Sequence, residues 1–371
     1  MGLLPKERVL KTINLKEPDV VPIYITITPQ VAEKLGRYLG INSYSHADSP
    51  LSENRISFTE LLLKLGNDIV GIGACSPKNN PTREVESGIL TNEWKVKYRK
   101  IGYYIEMIEY PLSKSETVYD IDNYEFPDPY ADGRYDLAKE MVEKYSHKYA
   151  ICGDLECTIF ETSWYLIGME KFLIDLSMKK DYVFALMDRI MEYNIKIGKE
   201  LIKIGADIIW LGDDVGTQKG MLISPELWRE VIKERMRKVI EELKDVNPNI
   251  GIAYHCCGSY VPIIPDLIEI GVNILNALQP TAKDMDLKKL KDIYGNEVCF
   301  FGGLDIQKIL PFGSLDDIEN EVKRVISSAA KGGGLIFAGA HNIQPDVSVE
   351  KVVKLFQFAK RYGGYPIKEE R

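Results

Sequence analysis

The sequence predicts an α/β fold, a (β/α)8 TIM barrel with a β-hairpin inserted near residues 84–111, and three observations carry that expectation. Short, nearly continuous apolar runs recur along the chain, as parallel strands buried on both faces do. Polar turns and then helical periodicity follow the runs, most regularly from about residue 149 onward. The runs number eight, which is what a closed barrel requires.

In chain order, the first run covers residues 20–26 and the second Ile69–Ile72, with a helix over residues 31–39 between them. A different pattern comes next: Trp94, Val96, Tyr98, Ile101, Tyr103, Tyr104, Ile105 and Met107 suggest the inserted antiparallel hairpin. Residues 120–132, rich in Asp, Tyr and Pro, read as a loop. Six further runs lie at residues 149–152, 207–211, 250–254, 272–276, 298–301 and 334–337. Between them a helix over residues 224–243 opens Ser-Pro-Glu, an N-cap followed by proline and an acid in the first turn. Residues 314–330, opening Ser-Leu-Asp-Asp, 286–293 and Val349–Tyr362 fill the same role. No internal repeat or low-complexity tract interrupts residues 1–371, which read as a single domain.

The formal net charge of −8, with no basic run, argues against nucleic-acid and anionic-membrane partners. No stretch is apolar enough for a membrane span or a signal peptide, so the expected location is the cytoplasm. The six cysteines then read as thiols or ligands rather than disulfides. Only four histidines are present, His46, His147, His255 and His341, so each one near a strand end carries information.

A barrel of this kind places its active site at the C-terminal ends of the strands. Polar residues just after the apolar runs form a ring there: Asp154 and Glu156, Asp213 and Asp214, His255 and Cys257, Asn276, Gln279, Asp305 with Gln307, and His341 with Asn342 and Gln344. In extended chain, residues i and i+2 share a face, so His255 and Cys257 converge while Cys256 points away. Imidazole with thiolate suits Zn²⁺, His341 could supply a third ligand, and Glu156 or Asp213 could complete a tetrahedron. His255-Cys256-Cys257 also reads as a packed histidine beside two small buried thiols. Asp213 and Asp214 are candidate acids or bases, or else caps of the turn that follows. Tyr24, Phe160, Trp164, Trp210 and Tyr254 are candidates for an apolar pocket wall. Dinucleotide, P-loop, serine-hydrolase and HExxH motifs do not occur.

At Gly212-Asp213-Asp214-Val215-Gly216, Ile223-Ser224-Pro225-Glu226, His255-Cys256-Cys257-Gly258, Phe301-Gly302-Gly303-Leu304-Asp305 and His341-Asn342-Ile343-Gln344-Pro345-Asp346 the chain resembles the uroporphyrinogen decarboxylase superfamily. The resemblance implies a closed barrel and one of two chemistries, cofactor-free decarboxylation or zinc-dependent methyl transfer involving a corrinoid protein. The decarboxylases are similar in an arginine-rich signature after the first strand. Here that region reads Tyr24-Ile25-Thr26-Ile27-Thr28-Pro29-Gln30, and the nearest arginine, Arg37, falls in the helix at residues 31–39. The methyltransferases are similar in a His-x-Cys zinc motif, matched by His255 and Cys257, with a further cysteine after the last strand. No cysteine follows Cys299, and His341 occupies that neighbourhood.

The expected reading is therefore a zinc-dependent methyltransferase with metal ligands His255, Cys257 and His341. Glu156, Asp213 and Asp214 would be catalytic, and Tyr24, Asn276, Gln279, Asp305, Gln307 and Asn342 would bind substrate. Its partners would be a small methylated compound such as a methoxy substrate, and a corrinoid protein, with a homodimer as the default assembly. A metal-free decarboxylase or lyase and a non-catalytic ligand-binding barrel are the alternatives.

Overall fold

Seven of the expected runs form one curled parallel sheet in the computed structural model, which describes residues 2–45, 55–101 and 104–368. His46 and Tyr103 lie outside the described residues. The strands Ile69–Ile72, Ala150–Glu156, Ile208–Gly212, Gly251–His255, Ile274–Asn276, Cys299–Leu304 and Leu335–Gly339 neighbour one another in chain order. Helices pack against the outer face of this sheet, as βαβ connections demand.

The first run behaves differently. Residues 20–26 make only isolated bridges, because Pro22 has no N–H to give to a ladder. On one side Tyr24 N–H donates to Phe337 C=O (3.0 Å) and Phe337 N–H to Pro22 C=O (2.8 Å). On the other, Asp68 N–H donates to the Ile23 carbonyl (2.8 Å). Asp68 and Asn67 side chains there accept the N–H groups of Ile23 (2.8 Å) and Ile25 (2.9 Å). Side chains thus complete a pairing that the backbone alone would leave unsatisfied.

Period-two alternation sorts the strand residues into two cores. Residues such as Ile209, Leu211, Tyr254 and Phe300 face the helices, whereas Tyr24, Cys152, Trp210, Ala253, Phe301 and Ala338 share a separate inner cluster. Val9 and Ile13 of the helix Pro5–Ile13 join that inner cluster, and Ile13 abuts Gly251 at the start of its strand. The other end of the sheet's concave side carries Asp154, Glu156, His255 and Asn276, all near strand C-termini.

In place of a single hairpin, a four-stranded antiparallel sheet is built from Arg83–Glu86, Ile89–Thr91, Lys97–Ile101 and Tyr104–Glu109. Its first strand is exposed throughout, so it carries no apolar alternation by which the sequence could reveal it. A short helix, Val118–Asp122, enters the expected loop, capped by Thr117, whose Oγ1 accepts from Asp120 N–H. The helix expected at residues 224–243 opens as foreseen, with Ser224 Oγ accepting from Leu227 N–H (3.1 Å), but contains a π-helical turn at Arg229–Lys233. No described helix is long and apolar enough to cross a membrane.

Asp175 ties the helix Met169–Ser177 to the helix Asp181–Ile204. Burial works against its ionisation, but Lys171 (2.6 Å), Lys180 (2.8 Å) and the Tyr182 hydroxyl overcome it and hold the carboxyl down at about 2. A carboxyl with a lowered folded pKa stabilises the fold above its unfolded value and loses that contribution as pH falls through the folded one. Asp175→Asn is therefore expected to be less stable than the parent at neutral pH. In thermal unfolding measured from pH 7 to pH 2, the gap should narrow below about 4. A gap that stays constant down to pH 2 would contradict the assignment.

Candidate metal centre and its pocket

His255 ends the strand Gly251–His255 with its side chain turned into the polar layer, 3% exposed. It stands in register with Gly212 on one neighbouring strand and Asn276 on the other. A Cβ on residue 212 would lie 2.8 Å from the His255 Cβ, so glycine there leaves room for the imidazole. Trp210 stacks on the ring at 25° with centroids 5.8 Å apart.

Asn276 decides which imidazole nitrogen is free. Its Nδ2 donates to the Phe301 carbonyl (2.7 Å), so Oδ1, which can only accept, faces His255 Nδ1. Nδ1 must carry the proton, and the Nε2 lone pair points toward Cys257 Sγ, 3.5 Å away. This is the orienting hydrogen bond that metal-bound histidines characteristically make.

The turn after the strand is held just as closely. Cys256 N–H donates to Asn276 C=O (2.9 Å), Cys257 N–H to Asp214 Oδ1 (2.6 Å) and Gly258 N–H to Gln279 Oε1 (3.1 Å). Gly258 sits at φ +77°, and a Cβ there would come within 2.6 Å of the Thr217 backbone. Cys256 is fully buried in the outer core, on the side away from the imidazole, as alternation predicts. His341, from the turn after the last strand, brings its ring centroid to 6.2 Å from that of His255. One donor atom each from His255, Cys257 and His341 lies within 4.8 Å of the others.

This donor set fits a zinc ion. Tetrahedral bonds of about 2.1 Å to nitrogen and 2.3 Å to sulfur put the two donors about 3.6 Å apart. The observed Nε2 to Sγ separation of 3.5 Å matches that edge. Burial, opposed by the charge of Asp214, holds the His255 imidazole down at about 4, keeping it neutral as a metal ligand must be. Burial first, and Asp214 second, push the Cys257 thiol well up in the bare protein.

Two carboxylates approach from the sides. Asp214 Oδ1 is 3.8 Å and Glu156 Oε1 3.9 Å from His255 Nε2. Glu156 Oε2 also accepts from Trp210 Nε1 (3.1 Å) and pairs with the Arg55 guanidinium. Arg55, 9% exposed, contacts both Asp154 oxygens at 3.3 Å and lies 4.7 Å from the Trp210 ring. Sequence reading passed over this arginine because it comes from a loop rather than a strand end, and no local pattern marks it. Arg37, the one weighed instead, pairs with Glu33 on an exposed helix face.

Asp213 is placed otherwise than expected. Its fully buried carboxyl accepts from the N–H groups of Ile159 (3.1 Å) and Glu161 (3.0 Å), at the start of the helix Phe160–Ile167. Burial raises it to about 7 despite those bonds. Glu161, also missed, accepts from Asp214 N–H (3.0 Å) and from the Tyr165 hydroxyl (3.1 Å). Its spacing of four from Tyr165 on a helix was the available signal. Burial, with Asp214 and Asp213 adding to it, pushes the Glu161 carboxyl well up.

The remaining candidates divide between two cavities. Tyr24, Asn276 and Asn342 line one together with Arg55, Trp210, His255 and His341. Gln279, Asp305 and Gln307 line a second, larger one, which also touches His341. Asp305 Oδ1 accepts from the backbone N–H of Gln307 (2.8 Å) and Lys308 (2.9 Å), so it shapes its own turn. Of the aromatic candidates, Tyr24 and Trp210 line the smaller cavity, Phe160 and Tyr254 are fully buried in the outer core, and Trp164 is half-buried.

A methyltransferase from Methanosarcina mazei has a similar fold, at a TM-score of 0.72 and 20% identity, covering 97% of this chain and 99% of that one. A B12-independent methionine synthase from Shewanella sp. W3-18-1 (11% identity, TM-score 0.41, 81% and 83% covered) is too distant to carry weight. So is an Anoxybacillus α-amylase (11%, 0.45, 92% and 78%). No curated protein matches the chain. The family pattern described as uroporphyrinogen decarboxylase (URO-D) matches residues 95–362. That span takes in six of the seven parallel strands and all three clustered donors, and the chain belongs to the uroporphyrinogen decarboxylase family.

Proposed function

We propose that this protein is a zinc-dependent methyltransferase that moves a methyl group between a small methylated compound, such as a methoxy substrate, and a corrinoid protein docked over the strand C-termini. The observation that carries the reading is the convergence of His255, Cys257 and His341 within 4.8 Å. Family membership and the fold of the Methanosarcina methyltransferase support it. In the same reading the chain works as one domain, and residues 22–28 close the barrel as its eighth stave between the last strand and the first.

Zinc bound by these three residues would leave a coordination position open and supply Lewis acidity to the substrate heteroatom. The chain's own groups do the rest. Asn276 fixes the His255 tautomer, and Tyr24, Trp210 and Phe301 wall the smaller cavity against water. In demethylation the carbon–oxygen bond breaks with its electron pair left on oxygen. The methyl group would pass to the corrinoid acceptor, which would supply the new bonding pair, and the oxygen would take a proton. Asp214, 36% exposed and beside His255, is assigned to move that proton, while Glu156, tied to Arg55 and Trp210, orients the substrate. Asp213 serves this machinery by holding the turn at Ile159, not by touching substrate.

Metal-free decarboxylation is disfavoured by Arg55. The guanidinium is already matched by Asp154 and Glu156, so the cavity offers a substrate carboxylate no spare positive charge.

Metal analysis of the purified chain is expected to find one zinc per chain, with methyl transfer from a methylated-substrate panel to a corrinoid acceptor. Failure to retain zinc after loading at neutral pH would overturn the metal assignment. Asn276→Leu should weaken zinc binding about 10–100-fold in a chelator competition, the usual cost of losing an orienting partner. Unchanged affinity would remove Asn276 from the site.

A further inference from the structure

Asp214 does not hold its own position beside His255. Its Oδ1 accepts from Cys257 N–H (2.6 Å), and its own N–H donates to Glu161 Oε2 (3.0 Å). Glu161 comes from the first turn of the helix Phe160–Ile167 and is 7% exposed. Its N–H donates in return to Asp213 Oδ1 (3.0 Å). The helix start and the Asp213-Asp214 turn therefore exchange two hydrogen bonds in opposite directions, much as a capping box does. Asp213 N–H also donates to the His255 carbonyl (3.2 Å), which ties the turn to the strand end that carries the candidate ligand.

A buried carboxyl is an unfavourable group with which to hold one backbone N–H. Burial opposes its ionisation first, Asp214 and then Asp213 add to that, and together they push the Glu161 carboxyl well up. An apolar side chain would fill the same space without that desolvation. It would not supply an acceptor aimed at one N–H. The Tyr165 hydroxyl, one helical turn on, bonds Glu161 Oε1 (3.1 Å) and also meets Cys157 Sγ (3.4 Å). One carboxyl oxygen is thus anchored, and the other is left on Asp214 N–H.

We propose that Glu161 is a positioning residue for Asp214. Seated by Tyr165, it holds the Asp214 main chain so that the carboxylate stays on Cys257 N–H, 3.8 Å from His255 Nε2. The role rests on the proposed use of Asp214 in moving the proton, and Glu161 acts in it only through Asp214, without touching substrate or metal.

The test compares Glu161→Gln with Glu161→Leu in the full zinc-loaded chain. Glutamine keeps an oxygen for Asp214 N–H and turns its amide hydrogens to the Tyr165 oxygen, which can accept as well as donate. Its turnover should stay within about threefold of the parent, the loss of less than one average hydrogen bond. Leucine offers no acceptor, so kcat should fall at least about 10-fold, a part of what a positioned acid supplies, at unchanged KM and zinc content. Amide exchange at Cys257 should be at least about 10-fold faster in Glu161→Leu and near the parent rate in Glu161→Gln. Parent-like kcat in the leucine variant, or a glutamine variant as impaired as leucine, would overturn the proposal. So would loss of zinc or a raised KM accompanying the fall in kcat, since Glu161 would then serve the fold alone. Should Glu161→Leu not fold, Tyr165→Phe decides, with a lower kcat at the same KM expected and a parent-like kcat overturning the role. A parent chain without zinc or turnover defeats the methyltransferase reading instead, and exchange at Cys257 then decides the positioning role by itself.

Discussion

Cys257→Ser is expected to lose zinc and methyl transfer together, and His255→Ala to do the same. A catalytic zinc needs three protein ligands so that the fourth position can take substrate. His255, Cys257 and His341 are the three whose donor atoms converge among the described residues. Loosening one orienting partner already costs about 10–100-fold in metal affinity, so deleting a ligand should cost at least about 100-fold. Serine keeps the size of Cys257 and leaves its backbone bond to Asp214 in place, so the fold should survive. The matching control is Cys256→Ala. That thiol is buried on the opposite side of the turn, and its removal should leave zinc content intact. Zinc by elemental analysis and turnover with a corrinoid acceptor read both effects. Full zinc and full activity in Cys257→Ser would sink the proposed mechanism.

Arg55→Met should produce the largest loss of stability of any single change in the pocket. The guanidinium touches Asp154 and Glu156 and packs against Trp210, and Arg55, Asp154 and Trp210 are all buried. Methionine fills much of the space but leaves two carboxylates buried without their counter-charge. Breaking a buried pair from one side costs about 3–5 kcal/mol. Spread over a chain of 371 residues, this corresponds to a fall in Tm of about 5 °C. Adding Glu156→Gln should recover part of the loss, since one stranded charge is then removed, and a double-mutant cycle isolates the coupling. Calorimetry showing Arg55→Met as stable as the parent would mean that the carboxylates are solvated, not paired.

Much of the site was legible because strand periodicity is a local property. Each parallel strand starts within two residues of its apolar run, and alternation alone put His255 and Cys257 on one face with Cys256 on the other. Proline at position 22 was equally visible, but not its consequence. The pairing of residues 20–26 depends on Asp68 and Asn67, more than forty residues away. The four-stranded sheet was half hidden because Arg83–Glu86 is exposed on every residue, and a strand with no buried face leaves no alternation to read.

The division of the polar ring is the clearest case of what local pattern cannot reach. Sequence places Tyr24, Asn276 and Asn342 beside Gln279, Asp305 and Gln307 as one set of strand-end residues. Only packing puts the first three in one cavity and the others in a second, with His341 at the boundary. Asp213 and Asp214 are adjacent in the chain, yet one caps a helix and the other reaches His255. Successive residues at a strand end point in different directions, and what each meets is supplied by distant segments. The sequence by itself therefore determined the strands, the end of the sheet that carries chemistry, and the His255–Cys257 pair, because these follow from periodicity and spacing. Tertiary structure alone decided that Arg55 enters the pocket and that Asp213 does not, because those are contacts between segments far apart in the chain.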